Sequence, residues 1–207
     1  MSLEMAVFFL ASVAFISLSG VMMPGPTFAA TVAHGYNDRK AGLKITMGHA
    51  LIEVPLIALI FLGFDTVLSD DLVIATIGLV GGIIIIWMGI NMVRTRDVIV
   101  QGEDGTKSSF FAGVFTTATN PYWLLWWATV GAALVASATE YGLLMLPAFV
   151  IVHISCDAGW SYFISHTVNR TKGLWNVRWH HLLIVVSGSI MMVFGIYFLV
   201  SSFGILF

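Results

Sequence analysis

Long apolar runs broken by short polar connections organise this chain. Leu, Ile, Val, Phe, Ala and Gly dominate six stretches, at roughly 5–33, 43–64, 72–93, 109–136, 142–167 and 180–205. A bilayer core takes about 20 apolar residues per helix, and each stretch meets that length. The pattern predicts an all-α polytopic membrane protein with six transmembrane helices. The spans use most of the 207 residues, so a single transmembrane domain over 1–207 is expected, with no soluble domain. The first run is too long for a cleaved signal peptide, and Met1-Ser2-Leu3-Glu4 lacks a positive n-region.

The polar connections carry orientation. All nine Lys and Arg residues fall into three short segments: Arg39, Lys40 and Lys44; Arg94, Arg96 and Lys107; Arg170, Lys172 and Arg178. The intervening connections, around Asp65–Asp71 and Ser137–Tyr141, contain none. Cytoplasmic loops collect Lys and Arg, so the three basic connections are expected inside the cell and both termini outside. Composition agrees. The chain is 58% apolar and 10% charged, whereas about a quarter of a soluble domain is charged. Net charge of -2 argues against a nucleic-acid partner. The one cysteine, Cys156, sits within a span, which excludes a disulfide framework.

Three features recur in order in the two halves. Helix breakers interrupt the first and fourth spans: Pro24-Gly25-Pro26, and Asn120-Pro121, whose proline lies 95 residues beyond Pro26. The second and fifth spans each carry a His with a carboxylate four residues on, His49/Glu53 and His153/Asp157, 104 residues apart. The third and sixth carry paired glycines, Gly82/Gly89 and Gly188/Gly195, 106 residues apart. Three spans per half make the second half enter the membrane from the opposite side. Two inverted three-helix repeats are therefore expected, about 1–98 and 105–207, on the plan of many secondary transporters.

Counting inward at about 1.5 Å per residue puts the breakers and the carboxylates at one mid-membrane layer. A proline removes a backbone donor and disrupts the preceding turn. The freed groups need protein or a water-lined cavity to satisfy them. Half-helices starting after Pro26 and Pro121 would point positive ends at an anionic group there. A simple proline kink is the plain alternative for either site alone. Glu53 and Asp157 are the ionisable carboxylates within spans. Each costs about 2.5–3.5 kcal/mol at a helix centre, which suits a pathway or proton-carrying role. Four-residue spacing places His49 and His153 on the same helical faces as their acids. The histidines either join the proton relay or merely fix packing. A divalent-metal site made of His49, Glu53, His153 and Asp157 is the alternative reading of the same four. Trp123, Trp126 and Trp127 follow the second breaker, and Trp123 is the candidate to face a substrate ammonium. Packing or interfacial anchoring is the plainer reading for the others, as for Trp175, Trp179, His180 and His181. No nucleophile–base pair or HExxH motif appears, so no enzyme activity is expected, and no cofactor.

The run Gly20-Val21-Met22-Met23-Pro24-Gly25-Pro26-Thr27-Phe28, followed by Gly35 and Arg39-Lys40-Ala41-Gly42-Leu43, resembles the first-helix signature of the LysE/RhtB amino-acid exporters. Phe110-Phe111-Ala112-Gly113-Val114 leading into Thr119-Asn120-Pro121 resembles the fourth-helix signature, and Asp157-Ala158-Gly159-Trp160-Ser161-Tyr162 sits where that family has an acidic-aromatic stretch. The resemblance covers essentially the whole chain. It implies export of amino acids or related metabolites across the cell membrane, driven by a proton or sodium gradient. In this sequence Pro24, Gly25, Pro26, Asn120, Pro121 and Trp123 would bind substrate, while Glu53, Asp157, His49 and His153 would couple protons. Six short spans enclose little volume, so a homodimer in the bilayer is expected.

Overall fold

The computed structural model describes residues 3–64, 70–94, 108–173 and 177–206. Arg96, Lys107, the 65–69 stretch and Trp175 lie outside the described residues. Among the described residues, nine α-helices follow in order: α1 (Leu3–Val21), α2 (Pro26–Asn37), α3 (Ala41–Leu59), α4 (Asp71–Arg94), α5 (Ser109–Ala118), α6 (Pro121–Trp126), α7 (Ala132–Glu140), α8 (Met145–Thr171) and α9 (Val177–Leu206). A π-helical segment, Trp127–Gly131, joins α6 to α7, and another, Ile60–Phe64, extends α3. Among the described residues there is no strand. Six helical stretches among them are long and apolar enough to cross a membrane: Leu3–Val21, Ala41–Gly63, Asp71–Arg94, Tyr122–Glu140, Met145–Thr171 and Ile184–Ile205.

The prolines act where the local chemistry requires. The first expected span divides into α1 and α2, with Gly25 extended as the N-cap and Pro26 at the start of α2. The fourth divides at Asn120, with Pro121 opening α6. Proline at a first helical position is cheap because that N–H would lack a partner anyway. The two short pieces on the basic-loop side, α2 with 12 residues and α5 with 10, are close in length. They pack side by side, with Thr27 Oγ1 3.4 Å from Thr116 Oγ1.

Small residues let backbones touch, the usual way membrane helices associate without a hydrophobic driving force. A Cβ on Gly82 would lie 2.8 Å from the Gly195 carbonyl, and one on Gly195 would lie 2.7 Å from that of Gly82. Gly89 and Gly188 face each other in the same way, at 2.6 and 2.8 Å. The glycine pairs of the two halves thus meet reciprocally between α4 and α9. Gly78 extends this seam toward Ser202. Gly48 abuts the Phe110 carbonyl and Gly113 that of Ile45, which brings α3 against α5.

Phe9, Val13, Leu56, Ile57, Val135 and Phe149 belong to the main apolar core. They come from the parts of α1, α3, α7 and α8 farthest along the chain from Lys44 and Arg170, so that half of the bundle is filled. At the other end α8 caps α2. Asn169 Nδ2 donates to the carbonyls of Gly35 and Tyr36 at 3.2 Å, and Lys172 Nζ donates to that of Tyr36 at 3.0 Å. Positive charge and donors suit a helix C-terminus.

Asp38, between α2 and α3, accepts from Lys44 Nζ at 2.7 Å and from the Lys40 amide at 2.8 Å. The Lys44 hydrogen bond, aided by the amide, holds its carboxyl below the ordinary range. A lowered folded value means stability present above the unfolded value and lost as pH falls through the folded one. Asp38→Asn is expected to cost under about 1 kcal/mol because the pair is partly solvated. The Tm difference from wild type should be visible near neutrality and close as pH drops below about 4. A gap that persists unchanged in acid would contradict this.

Candidate functional site

A cavity of about 110 Å³ lies where the two helix breaks meet α3 and α8. At roughly 10–15 Å³ per water position, that is room for on the order of ten waters or one small solute. Pro24, Gly25 and Pro26 line it from the first break, and Asn120, Tyr122 and Trp123 from the second. The side chain of Pro121 is outside the described set. Its remaining wall includes Thr31, Thr46 and Ile164, toward the basic ends of α2, α3 and α8.

Residues of two helix starts line this space. In α2 the first intrahelical bond runs from the Ala29 amide to the Gly25 carbonyl at 2.9 Å. In α6 it runs from the Leu124 amide to the Asn120 carbonyl at 3.4 Å. The amides of Thr27, Phe28, Tyr122 and Trp123 precede those bonds. The first amides of a helix have no intrahelical partner, and the aligned peptide dipoles favour an anion beside them.

In the same cavity, four titratable side chains from α3 and α8 converge. His49 Nε2 is 2.8 Å from Glu53 Oε1 and 3.8 Å from Asp157 Oδ2. His153 Nε2 is 3.4 Å from Glu53 Oε2 and 3.5 Å from Asp157 Oδ2. The two His–acid pairs therefore cross: each histidine reaches the carboxylate of the other half as well as its own. Glu53 is 1% exposed and Asp157 8%. Such burial in a membrane is expensive unless the groups face partners or a pathway.

The surroundings are ordered by hydrogen bonds. Trp123 Nε1 and Trp127 Nε1 both donate to Glu53 Oε1 at 2.9 Å. His49 Nδ1 lies 2.8 Å from Thr117 Oγ1, and His153 Nδ1 lies 2.7 Å from Ser17 Oγ. Thr117 spends its own hydroxyl proton on the Gly113 carbonyl at 2.7 Å. Its oxygen can then only accept, so His49 carries a proton on Nδ1. That leaves the Nε2 lone pair of a neutral His49 facing a carboxylate oxygen at 2.8 Å, and a proton or another cation must lie between them. Glu53 Oε2 and Asp157 Oδ2 have no hydrogen-bond partner.

Pro24, Gly25, Pro26, Asn120 and the four titratable residues, expected at one depth, line one space. The sequence pattern assigns most of the tryptophans to packing or anchoring. Trp123, Trp126 and Trp127 all line the cavity, and Trp126 stacks on His153 at 5.6 Å between ring centroids. Ser17 and Thr117 were not singled out. Their only signal was a hydroxyl within an apolar run, which many membrane helices carry. Trp179 is exposed, in keeping with an anchoring position.

Among the described residues, six membrane-length helices around a cavity that holds buried titratable groups, with two helices interrupted beside it, define a membrane transport protein. The chain belongs to the LysE type translocator family, whose sequence profile matches residues 18–202. It is thus a multi-pass membrane exporter of small molecules, and at family level a transporter rather than an enzyme. Neither curated proteins nor solved structures give a match to the chain.

Proposed function

We propose that this protein exports amino acids or similar small zwitterionic metabolites from the cytoplasm by alternating access, driven by the proton or sodium gradient. The observation that carries this reading is a cavity lined both by residues of two helix starts, Pro24, Gly25, Pro26, Asn120 and Trp123, and by Glu53 and Asp157. A substrate carboxylate meets the amides near Pro24–Pro26 and Asn120–Pro121. Its ammonium faces Asp157 or Glu53, beside Trp123. Rocking of one three-helix repeat against the other then exposes the site to the opposite side. Protonation of an emptied acid neutralises it for the return step. Coupling requires that the proton bind the two states unequally.

The reciprocal Gly82–Gly195 and Gly89–Gly188 contacts and the crossed His–acid pairs support the repeats, about 1–98 and 105–207, as halves related by a pseudo-twofold axis. The concentration of basic residues supports a plasma-membrane orientation with both termini outside. A cysteine placed next to Lys40 should be labelled only from the cytoplasm and one beside Asp70 only from outside; the reverse pattern would overturn the topology. A homodimer remains the expected assembly, and mass analysis in native lipid that finds only monomers would count against it.

The substrate reading is tested by thermal shift of the purified protein. At least one free amino acid should raise Tm, while its N-acetyl and its amide derivatives should not, because each lacks one of the two charges. Stabilisation that is indifferent to both blocking groups would sink the zwitterion reading.

A further inference from the structure

We propose that His49, Glu53, His153 and Asp157 form a binding site for a divalent transition-metal ion of the zinc, cobalt or nickel type. This does not rest on the amino-acid reading, since it concerns what the four side chains bind and not which solute crosses. Metal–nitrogen and metal–oxygen bonds of about 2.0–2.2 Å in a tetrahedron place neighbouring ligand atoms roughly 3.3–3.6 Å apart. The separations His153 Nε2–Glu53 Oε2 and His153 Nε2–Asp157 Oδ2 are 3.4 and 3.5 Å, and His49 Nε2–Asp157 Oδ2 is 3.8 Å. Three of the four His–carboxylate separations are thus near the spacing of a bound ion, before any side chain moves. Ligand atoms from His49, Glu53 and Asp157 all lie within 4.8 Å of one another.

Two independent observations point to a ligand at the centre. Glu53 Oε2 and Asp157 Oδ2, both buried, have no hydrogen-bond partner. They are the two oxygens that the tetrahedron would use. Both histidines are also held from behind: Thr117 takes the Nδ1 proton of His49, and Ser17 lies on Nδ1 of His153. A hydroxyl on Nδ1 fixes the ring and leaves Nε2 as the coordinating atom, the usual outer-shell device of metal-binding histidines. Two carboxylates and two neutral imidazoles also balance the charge of a divalent ion, which a membrane interior favours.

The donor set decides the class of metal. Two imidazoles disfavour magnesium and calcium, which take oxygen ligands. No thiolate is present to select a softer ion, since Cys156 Sγ instead approaches the Ala14 carbonyl at 3.8 Å. The cavity reaches His49, His153 and Asp157, giving an ion a way in.

The test uses the full chain, purified in detergent with any affinity tag removed and treated with chelator. Equilibrium dialysis against Zn²⁺ should find about one ion per chain, and Co²⁺ should give the intense visible absorption of a four-coordinate site. Asp157→Asn and His153→Gln should each weaken binding by more than tenfold. Thr117→Val, which touches no ligand atom, should weaken it by about tenfold through loss of the His49 partner. Size-exclusion profiles check that each variant stays folded. No ion retained by wild type, or retention by Asp157→Asn and Thr117→Val equal to that of wild type, overturns the site. Amino-acid uptake into chelator-treated proteoliposomes is measured separately, so either reading can fail while the other stands.

Discussion

Glu53→Gln and Asp157→Asn should each reduce gradient-driven export to the rate of protein-free liposomes, while the protein remains folded and inserted. The substitutions are isosteric and remove only the capacity to exchange a proton and to carry negative charge. Gln retains a carbonyl oxygen in place of Glu53 Oε1, so Trp123 and Trp127 keep an acceptor. Asp157 Oδ2 has no hydrogen-bond partner to lose. Fold and function should therefore separate cleanly at these positions. The loss is expected to be complete because a carrier that binds the proton equally in both states couples nothing. If both variants pump at wild-type rates in proteoliposomes under an imposed pH gradient, the proton role of these acids is wrong.

The second large effect concerns packing. Gly48→Ala should lower Tm by several degrees, whereas Gly159→Ala, which adds the same methyl group, should leave it nearly unchanged. A Cβ on Gly48 runs into the Phe110 carbonyl, a backbone atom that cannot swing aside, while one on Gly159 meets nothing within 4 Å. Overpacking of this kind costs about 1–3 kcal/mol. For a chain of this size that corresponds to about 2–4 °C per kcal/mol. Equal thermal stability of the two variants would show that α3 and α5 are not in backbone contact.

Much of the architecture was legible along the chain because the bilayer allows few solutions. With no water to satisfy backbone groups, long apolar runs have to be helices. Their number and approximate limits follow from Leu, Ile and Val runs alone. The breaks were legible because breakers cluster there, Pro24-Gly25-Pro26 and Asn120-Pro121, whereas the lone Pro55 is carried inside α3. The His–acid pairs stood out since charge within apolar sequence is costly. Less was readable about the tryptophans. Trp126 and Trp127 carry the same composition signal whether they anchor in lipid headgroups or point inward. Only the rotation of the Trp127–Gly131 segment relative to α3 put the Trp127 indole on Glu53. Ser17 and Thr117 gave still less, because a lone hydroxyl in a membrane helix usually bonds its own backbone.

Class, span number and the inventory of chemically unusual residues were therefore settled by local rules of chain solvation, which act residue by residue. The pairing of those residues was not. His49 reaches Asp157 and His153 reaches Glu53 because α3 and α8 lie against each other, and α4 meets α9 because Gly82 and Gly89 find Gly195 and Gly188. Many helices in a membrane are equally apolar on several faces, so hydropathy does not say which will touch. Close backbone approach at glycines and the satisfaction of buried polar atoms decide it, and both depend on residues far apart in the chain.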